Sequence, residues 1–156
     1  MWKFTGKHLV VDAVCSNKQA LLDVHAGNRI MQDIVSKIDM TMILPPVSVE
    51  FPHAVSEMTR VLDSLDAEGL GESQTAQLLR RSLQGRVDQA YGYSTFLMIA
   101  ESHLCMHTFP ETDYLTFDCY SCKDFDYNLV VEMLTAAFGI TNITSNVVDR
   151  AAPVVV

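Results

Sequence analysis

Residues 91–122, YGYSTFLMIAESHLCMHTFPETDYLTFDCYSC, decide the fold. Three apolar runs lie in this stretch, at 91–100, 105–109 and 114–120, and only short connections separate them. Runs of this length, each bounded by a short polar segment, are typical of β-strands. Because a connection of a few residues can join only antiparallel neighbours, we expect three successive strands of an antiparallel sheet.

The sequence before this stretch predicts a strand, a helix and a second strand. Residues 8–14 alternate weakly and are rich in β-branched residues, which is typical of a strand. Asn17 can cap a helix with apolar residues along one face, although Gly27 weakens the middle of that helix. Residues 40–51 predict the next strand. Since Pro45-Pro46 cannot donate to a hydrogen-bond ladder, this strand must lie at an edge, be bulged, or be broken there.

Residues 53–90 differ in character from their surroundings. Apolar residues recur at helical spacing on both sides of the turn Gly69-Leu70-Gly71, and charged residues of both signs surround them. We expect a helical hairpin inserted between two strands, with a solvated charged face.

After residue 122, Asp126 can cap a helix that Gly139 ends, and residues 140–148 can form a last strand. Strands in short succession with helices before and after them favour an α+β fold. We therefore predict a two-layer sandwich, an antiparallel sheet with helices on one face, in a single domain over residues 1–156 that carries the helical hairpin as an insertion.

Composition narrows the classes of function. The 156 residues are 49% hydrophobic and carry a formal net charge of −8, which argues against a nucleic-acid partner. No apolar run approaches the roughly 20 residues of a membrane helix, so we expect a cytoplasmic protein without a membrane partner. The pair Cys119 and Cys122 invites a metal-site reading, but a strand sends the two side chains to opposite faces, and we expect no metal.

The densest group of reactive side chains also lies within residues 91–122. It offers a hydroxyl, two imidazoles, a thiol and a carboxylate around a strand end: Glu101, Ser102, His103, Cys105 and His107. Such groups suit nucleophilic or acid–base chemistry. From the residue types alone, this is a weak signal for catalysis, because such side chains more often have structural roles in a strand.

The spacing of these residues resembles that of the prokaryotic S-adenosylmethionine decarboxylase proenzymes. The resemblance rests on Glu101-Ser102-His103, on His107 five residues after the serine, on the run 108–111, and on Cys122 twenty residues after the serine. The strand at 6–12 and the motif Tyr91-Gly92-x-Ser94 also resemble that family. Phe109 differs from the tryptophan that is common at its position.

The resemblance implies a role for each matching residue. The bond between Glu101 and Ser102 would cleave itself, with His107 as the base of this processing and Ser94 assisting it. Ser102 would thereby become a covalent pyruvoyl cofactor, the electron sink for decarboxylation. Cys122 would be the catalytic acid that reprotonates the substrate carbon. The resemblance also implies a homodimer with active sites where two protomers meet.

The substrate would be a small amino-acid-type molecule. S-adenosylmethionine is the first expectation, with Phe51, Phe109 and Glu111 as candidate binding residues, and the product would serve spermidine synthesis. Arginine or ornithine is the alternative substrate, and an uncleaved, non-catalytic homologue that binds a partner is the alternative of another class. Strand alternation separates Ser102 from His107, so we expect a turn or strand break near residues 102–104 that allows them to meet.

Overall fold

The computed structural model of the chain describes residues 5–51, 53–84 and 92–151. Tyr91 and Pro52 lie outside the described residues, as do 85–90 at the end of the predicted insertion. The described strands are β1 (Thr5–Cys15), β2 (Val47–Glu50), β3 (Tyr93–Ile99), β4 (Ser102–Phe109), β5 (Tyr114–Ser121) and β6 (Ile140–Ala151). The described helices are α1 (Lys18–Leu22), α2 (Val24–Lys37), α3 (His53–Ala67), α4 (Gln74–Leu83) and α5 (Tyr127–Phe138).

The six strands form one sheet in the order β2-β3-β4-β5-β1-β6, and every neighbouring pair is antiparallel. Alternate residues of the central strands are buried against helices on one face, as the period of two requires. Leu9, Val11 and Phe117 from the sheet share this core with Met31 of α2 and Leu134 of α5. The predicted α+β sandwich with helices on one face is confirmed.

The helix at the beginning of the chain is divided, contrary to expectation. The division falls at Asp23 rather than at Gly27, because the Asp23 side chain accepts a hydrogen bond from the Ala26 backbone N–H and caps α2. Gly27 has a different reason to be glycine. A Cβ at this position would lie 2.2 Å from the hydroxyl oxygen of the buried Tyr93.

The strand predicted over residues 40–51 is shorter and begins only after the prolines, at Val47. It lies at the edge of the sheet, one of the three outcomes expected from Pro45-Pro46. Between residue 40 and the prolines, the backbone pairs with the sheet through an isolated bridge between Met42 and Ile99.

The helical hairpin is present as α3 and α4, which pack on each other around Leu62, Ala76 and Leu83. It follows β2 directly, so it begins beside the strand ends that build the candidate site described below. The capped helix α5 is also as predicted. Asp126 accepts from the N–H groups of Asn128 and Leu129, and Gly139 ends the helix in the left-handed conformation.

Strand β4 corrects a second expectation. It begins at Ser102 rather than at residue 105, and the two-residue turn before it is Ala100-Glu101. Because β4 then runs unbroken to Phe109, no turn or break follows Ser102 to bring it toward His107.

Candidate active site

The sheet face opposite the helices carries half-buried polar and aromatic side chains. Odd-numbered residues of β4 and even-numbered residues of β3 point to this face, since their neighbours are buried against the helices. His103 stacks on Phe96 here with ring centroids 5.5 Å apart. The His8 Nε2 lies 3.0 Å from an Asp118 carboxylate oxygen on the same face. We call this surface the helix-free face.

A cavity of about 310 Å³ opens where β2, β3 and β4 come together at one end of the sheet. It collects every predicted substrate-binding residue and two of the predicted processing residues. Its lining consists of Phe51, Gly92, Ser94, His107, Thr108, Phe109 and Glu111. Two aromatic rings, one carboxylate and one imidazole in a single cavity suit a ligand with a flat apolar part and a positive charge.

His107 is held from both sides of its ring. Its Nδ1 lies 2.6 Å from the Ser94 hydroxyl oxygen, because Ser94 is the residue directly opposite on β3. Its Nε2 lies 3.3 Å from the Cys105 sulfur, two residues earlier on the same strand and face. Burial, together with the nearby charge of Asp118, raises the pKa of Cys105, so this side chain is a neutral thiol.

The glycine of the Tyr91-Gly92-x-Ser94 motif has a steric reason. A Cβ at position 92 would lie 2.0 Å from the backbone oxygen of Thr108, so no side chain fits. The next residue is fixed to the same neighbour, since the Tyr93 N–H donates to the Thr108 hydroxyl at 2.8 Å. The close approach of β3 to β4 sets the wall of the cavity beside Ser94.

Glu101, Ser102 and Cys122 meet at the opposite end of β4. The Cys122 backbone N–H donates to the Glu101 carbonyl oxygen at 3.0 Å, which is the carbonyl of the predicted scissile bond. The Glu101 carboxylate is fixed in turn by the Thr41 N–H at 3.0 Å. Ser102 has a backbone φ of 152°, a value that non-glycine residues rarely adopt. Strain of this kind costs on the order of 1–3 kcal/mol and is typical of reactive sites.

The two groups of site residues are therefore far apart within one chain. Ser102 and His107 are separated by five residues of continuous strand, which corresponds to about 16 Å at the usual rise per residue. We name them the serine end (Glu101, Ser102 and Cys122) and the histidine end (Ser94, His107 and the cavity around them). The structure brings together the members of each end, but it does not join the two ends.

A second cavity of about 230 Å³ lies beside the serine end, and no pattern in the sequence predicts it. It is lined by Cys122 and by residues of β1, the loop after β5, and β6. Lys7 pairs with Asp124 across it at 2.7 Å. The Arg150 guanidinium lies 4.3 Å from the centre of the Tyr120 ring, on the helix-free face. The long pairing of β6 with β1 that places Arg150 here has no short sequence signal.

The two cysteines of the CxxC pattern have different surroundings. Cys119 is buried in β5 against the helices, which raises its pKa to about 12, whereas Cys122 is exposed beyond the strand end. Within residues 5–51, 53–84 and 92–151, no three His, Cys, Asp or Glu side chains are grouped so as to hold a metal ion. No helix in these ranges has both the length and the apolar character of a membrane span.

Comparison with known proteins gives one family match. The sequence profile described as S-adenosylmethionine decarboxylase matches residues 63–151, more than half of the chain. This match includes β3, β4 and β5, and with them Ser94, Ser102, His107 and Cys122, whereas Phe51 precedes it.

Individual relatives match over shorter segments. An arginine decarboxylase proenzyme from Aeropyrum pernix is 39% identical over 61 residues, 38% of this chain and 46% of that protein. An S-adenosylmethionine decarboxylase proenzyme from Bacillus velezensis is 41% identical over 46 residues, 30% of this chain and 36% of that protein. The matches thus span less than half the length of these relatives. A crystal structure of the adenosylmethionine decarboxylase from Aquifex aeolicus shares the fold, with a TM-score of 0.64 and 17% identity over 97% of this chain and 95% of that one.

Proposed function

Because the chain belongs to the S-adenosylmethionine decarboxylase family, we propose that it is a self-cleaving, pyruvoyl-dependent decarboxylase of S-adenosylmethionine. Its product would be the aminopropyl donor for spermidine synthesis. One observation carries the proposal. Ser102 stands at a strained backbone position, and the carbonyl before it already accepts a hydrogen bond from the Cys122 N–H.

Self-cleavage begins at the serine end. The Ser102 hydroxyl attacks the Glu101 carbonyl carbon, a C–O bond forms, and the C–N bond breaks as the amine takes up the proton. The Cys122 N–H is placed to stabilise the negative charge that develops on the carbonyl oxygen during this attack. Release of the strained φ at Ser102 favours the same step.

The second step requires a base. His107 removes the α-proton of residue 102, and the Glu101 carboxylate leaves with the electron pair of the ester C–O bond. Hydrolysis of the resulting dehydroalanine releases ammonia and leaves a pyruvoyl group at the new amino terminus. Ser94, bonded to the His107 Nδ1, orients the imidazole for this proton transfer.

The geometry supports a homodimer with composite sites as part of this proposal. His107 cannot approach Ser102 of its own chain along an unbroken strand of about 16 Å. Two copies that face each other through the helix-free face, with their β4 strands running in opposite directions, place the serine end of one chain against the histidine end of the other. A two-fold pair of this kind builds two identical sites.

Decarboxylation then uses both ends. The pyruvoyl group supplies an electron sink for the negative charge left when carbon dioxide departs. The Cys122 thiol, exposed at the serine end, donates a proton to the substrate α-carbon. In the cavity of the histidine end, Phe51 and Phe109 offer faces for the adenine ring, and Glu111 attracts the cationic part of the substrate.

The alternative substrate is arginine, since one relative, 39% identical over 61 residues, is an arginine decarboxylase proenzyme. Arginine needs no stacking face, but its guanidinium needs a carboxylate, which Glu111 also offers. Release of labelled carbon dioxide from S-adenosylmethionine, arginine and ornithine by the cleaved protein tests the proposal. Release from arginine or ornithine but not from S-adenosylmethionine would replace the substrate and leave the pyruvoyl chemistry in place.

Phe51→Ala should separate substrate binding from self-cleavage. We expect the KM for S-adenosylmethionine to rise roughly tenfold, because one stacked aromatic contact contributes about 0.5–1.5 kcal/mol. Self-cleavage should proceed at the wild-type rate, since Phe51 lines the cavity but offers neither a nucleophile nor a base to the processing steps. Val47→Ala, on the edge strand that ends just before Phe51 and outside the cavity, is the control. An unchanged KM would remove Phe51 from the substrate site.

A further inference from the structure

The imidazole of His107 contacts two side chains. Only one of these, Ser94, is among the residues that match the family resemblance. Ser94 holds Nδ1, whereas Nε2 lies 3.3 Å from the Cys105 sulfur. The contact follows from the strand itself, because residues two apart in a strand project from the same face. Cys105 is half-buried beside the ring, so this thiol is part of a fixed environment rather than a free surface group.

The chemistry of the thiol suits this position. Burial keeps Cys105 protonated, so it retains an S–H donor and a weakly accepting sulfur. The Ser94 hydroxyl likewise donates and accepts. The two side chains therefore satisfy both ring nitrogens whichever neutral tautomer His107 adopts. With one contact on each side, the ring cannot rotate about its bond to Cβ without losing both of them.

We propose that Cys105 is a positioning residue for self-cleavage, which holds the His107 ring in the orientation needed to take the proton from residue 102. The inference rests on the proposed function. Cys105 itself is part of neither the scissile bond nor the lining of the substrate cavity. It acts through His107, and a hydroxyl of similar reach can replace its thiol.

Two substitutions of nearly equal shape separate this role from a packing role. Cys105→Val and Cys105→Thr are both β-branched and suit a strand equally, but only threonine keeps a hydrogen-bonding group. The rate of self-cleavage is followed by the appearance of the shorter chains on denaturing gels after synthesis, and thermal melting of both variants reports the fold.

We expect Cys105→Val to slow self-cleavage by about tenfold, because small displacements of a catalytic group reduce rates steeply. Cys105→Thr should cleave within a factor of about two of the wild type, since its hydroxyl restores the contact with Nε2. Equal rates for the two variants would overturn the role of Cys105 while wild-type cleavage still supported the proposed function. A wild-type chain that never cleaves would instead contradict the proposed function itself.

Discussion

When Ser102→Ala and His107→Ala chains are mixed, we expect self-cleavage of the His107→Ala chains, although neither variant should cleave when alone. Ser102→Ala lacks the nucleophile, and His107→Ala lacks the base that completes cleavage. In a mixed pair with composite sites, the Ser102 of the His107→Ala chain meets the partner's His107. That site is complete, whereas the other site of the same pair has lost both groups.

The experiment needs subunit exchange and chains that can be told apart. Co-expression with tags of different mass supplies both. Random pairing places roughly half of the His107→Ala chains in mixed pairs, so about half of them should be cleaved, and no Ser102→Ala chain should be. Absence of cleavage in the mixture, despite mixed pairs isolated through both tags, would show that the two ends do not meet between chains.

Cys122→Ala should have its large effect on decarboxylation, which follows self-cleavage. The substitution keeps the backbone N–H that bonds the Glu101 carbonyl, so cleavage should still proceed. Decarboxylation by the cleaved fraction should fall by about 10²–10⁴-fold, the usual contribution of one general acid. Turnover is measured per mole of cleaved protein, after separation from uncleaved chains.

Cys119→Ala is the matched control for this prediction. It removes a thiol three residues away that is buried against the helices, where it reaches neither the cavity beside Cys122 nor the scissile bond. Its folded fraction should keep wild-type turnover. Full turnover and normal product in cleaved Cys122→Ala would assign the proton to a different donor.

Much of the fold follows from local patterns in the sequence. The strands at β3 and β5 and the helix between Asp126 and Gly139 are set by alternation, capping and a left-handed glycine, all of which act within a few residues. The edge position of β2 follows from the chemistry of Pro45-Pro46. Burial of alternate strand residues then determines which face carries the helices.

Sequence reasoning missed two kinds of feature. One depends on competition between a capping side chain and a continuing helix, and the other depends on pairing between strands. Asp23 lies within a continuous apolar pattern, but its side chain caps α2 more effectively than the pattern continues the helix. Strand β4 begins three residues earlier than expected because Ser102 pairs with Ile99 and Ser121 across two neighbouring strands. Ser121 lies 19 residues from Ser102, beyond the reach of a local pattern.

For the candidate site, the sequence supplied the residue types but not their division into two ends. The three predicted substrate residues share one cavity with Ser94 and His107, while Ser102 and Cys122 lie at the other end of the strand. The roles of these residues stay predictions that the substitutions above examine. A sequence signal for Cys105 was available, since a thiol and an imidazole two residues apart lie on the same face of a strand. That spacing alone does not show whether the two side chains are in contact.

The intact mass of the purified chain, followed over time under denaturing conditions, tests self-cleavage most directly. We expect two chains, of 101 residues and of 156 − 101 = 55 residues, divided between Glu101 and Ser102. The shorter chain should be lighter, by one molecule of ammonia, than a chain beginning with serine, and it should resist amino-terminal sequencing because a ketone replaces its amine. A single chain of 156 residues that still carries Ser102 after prolonged incubation would contradict self-cleavage and the proposed function that depends on it.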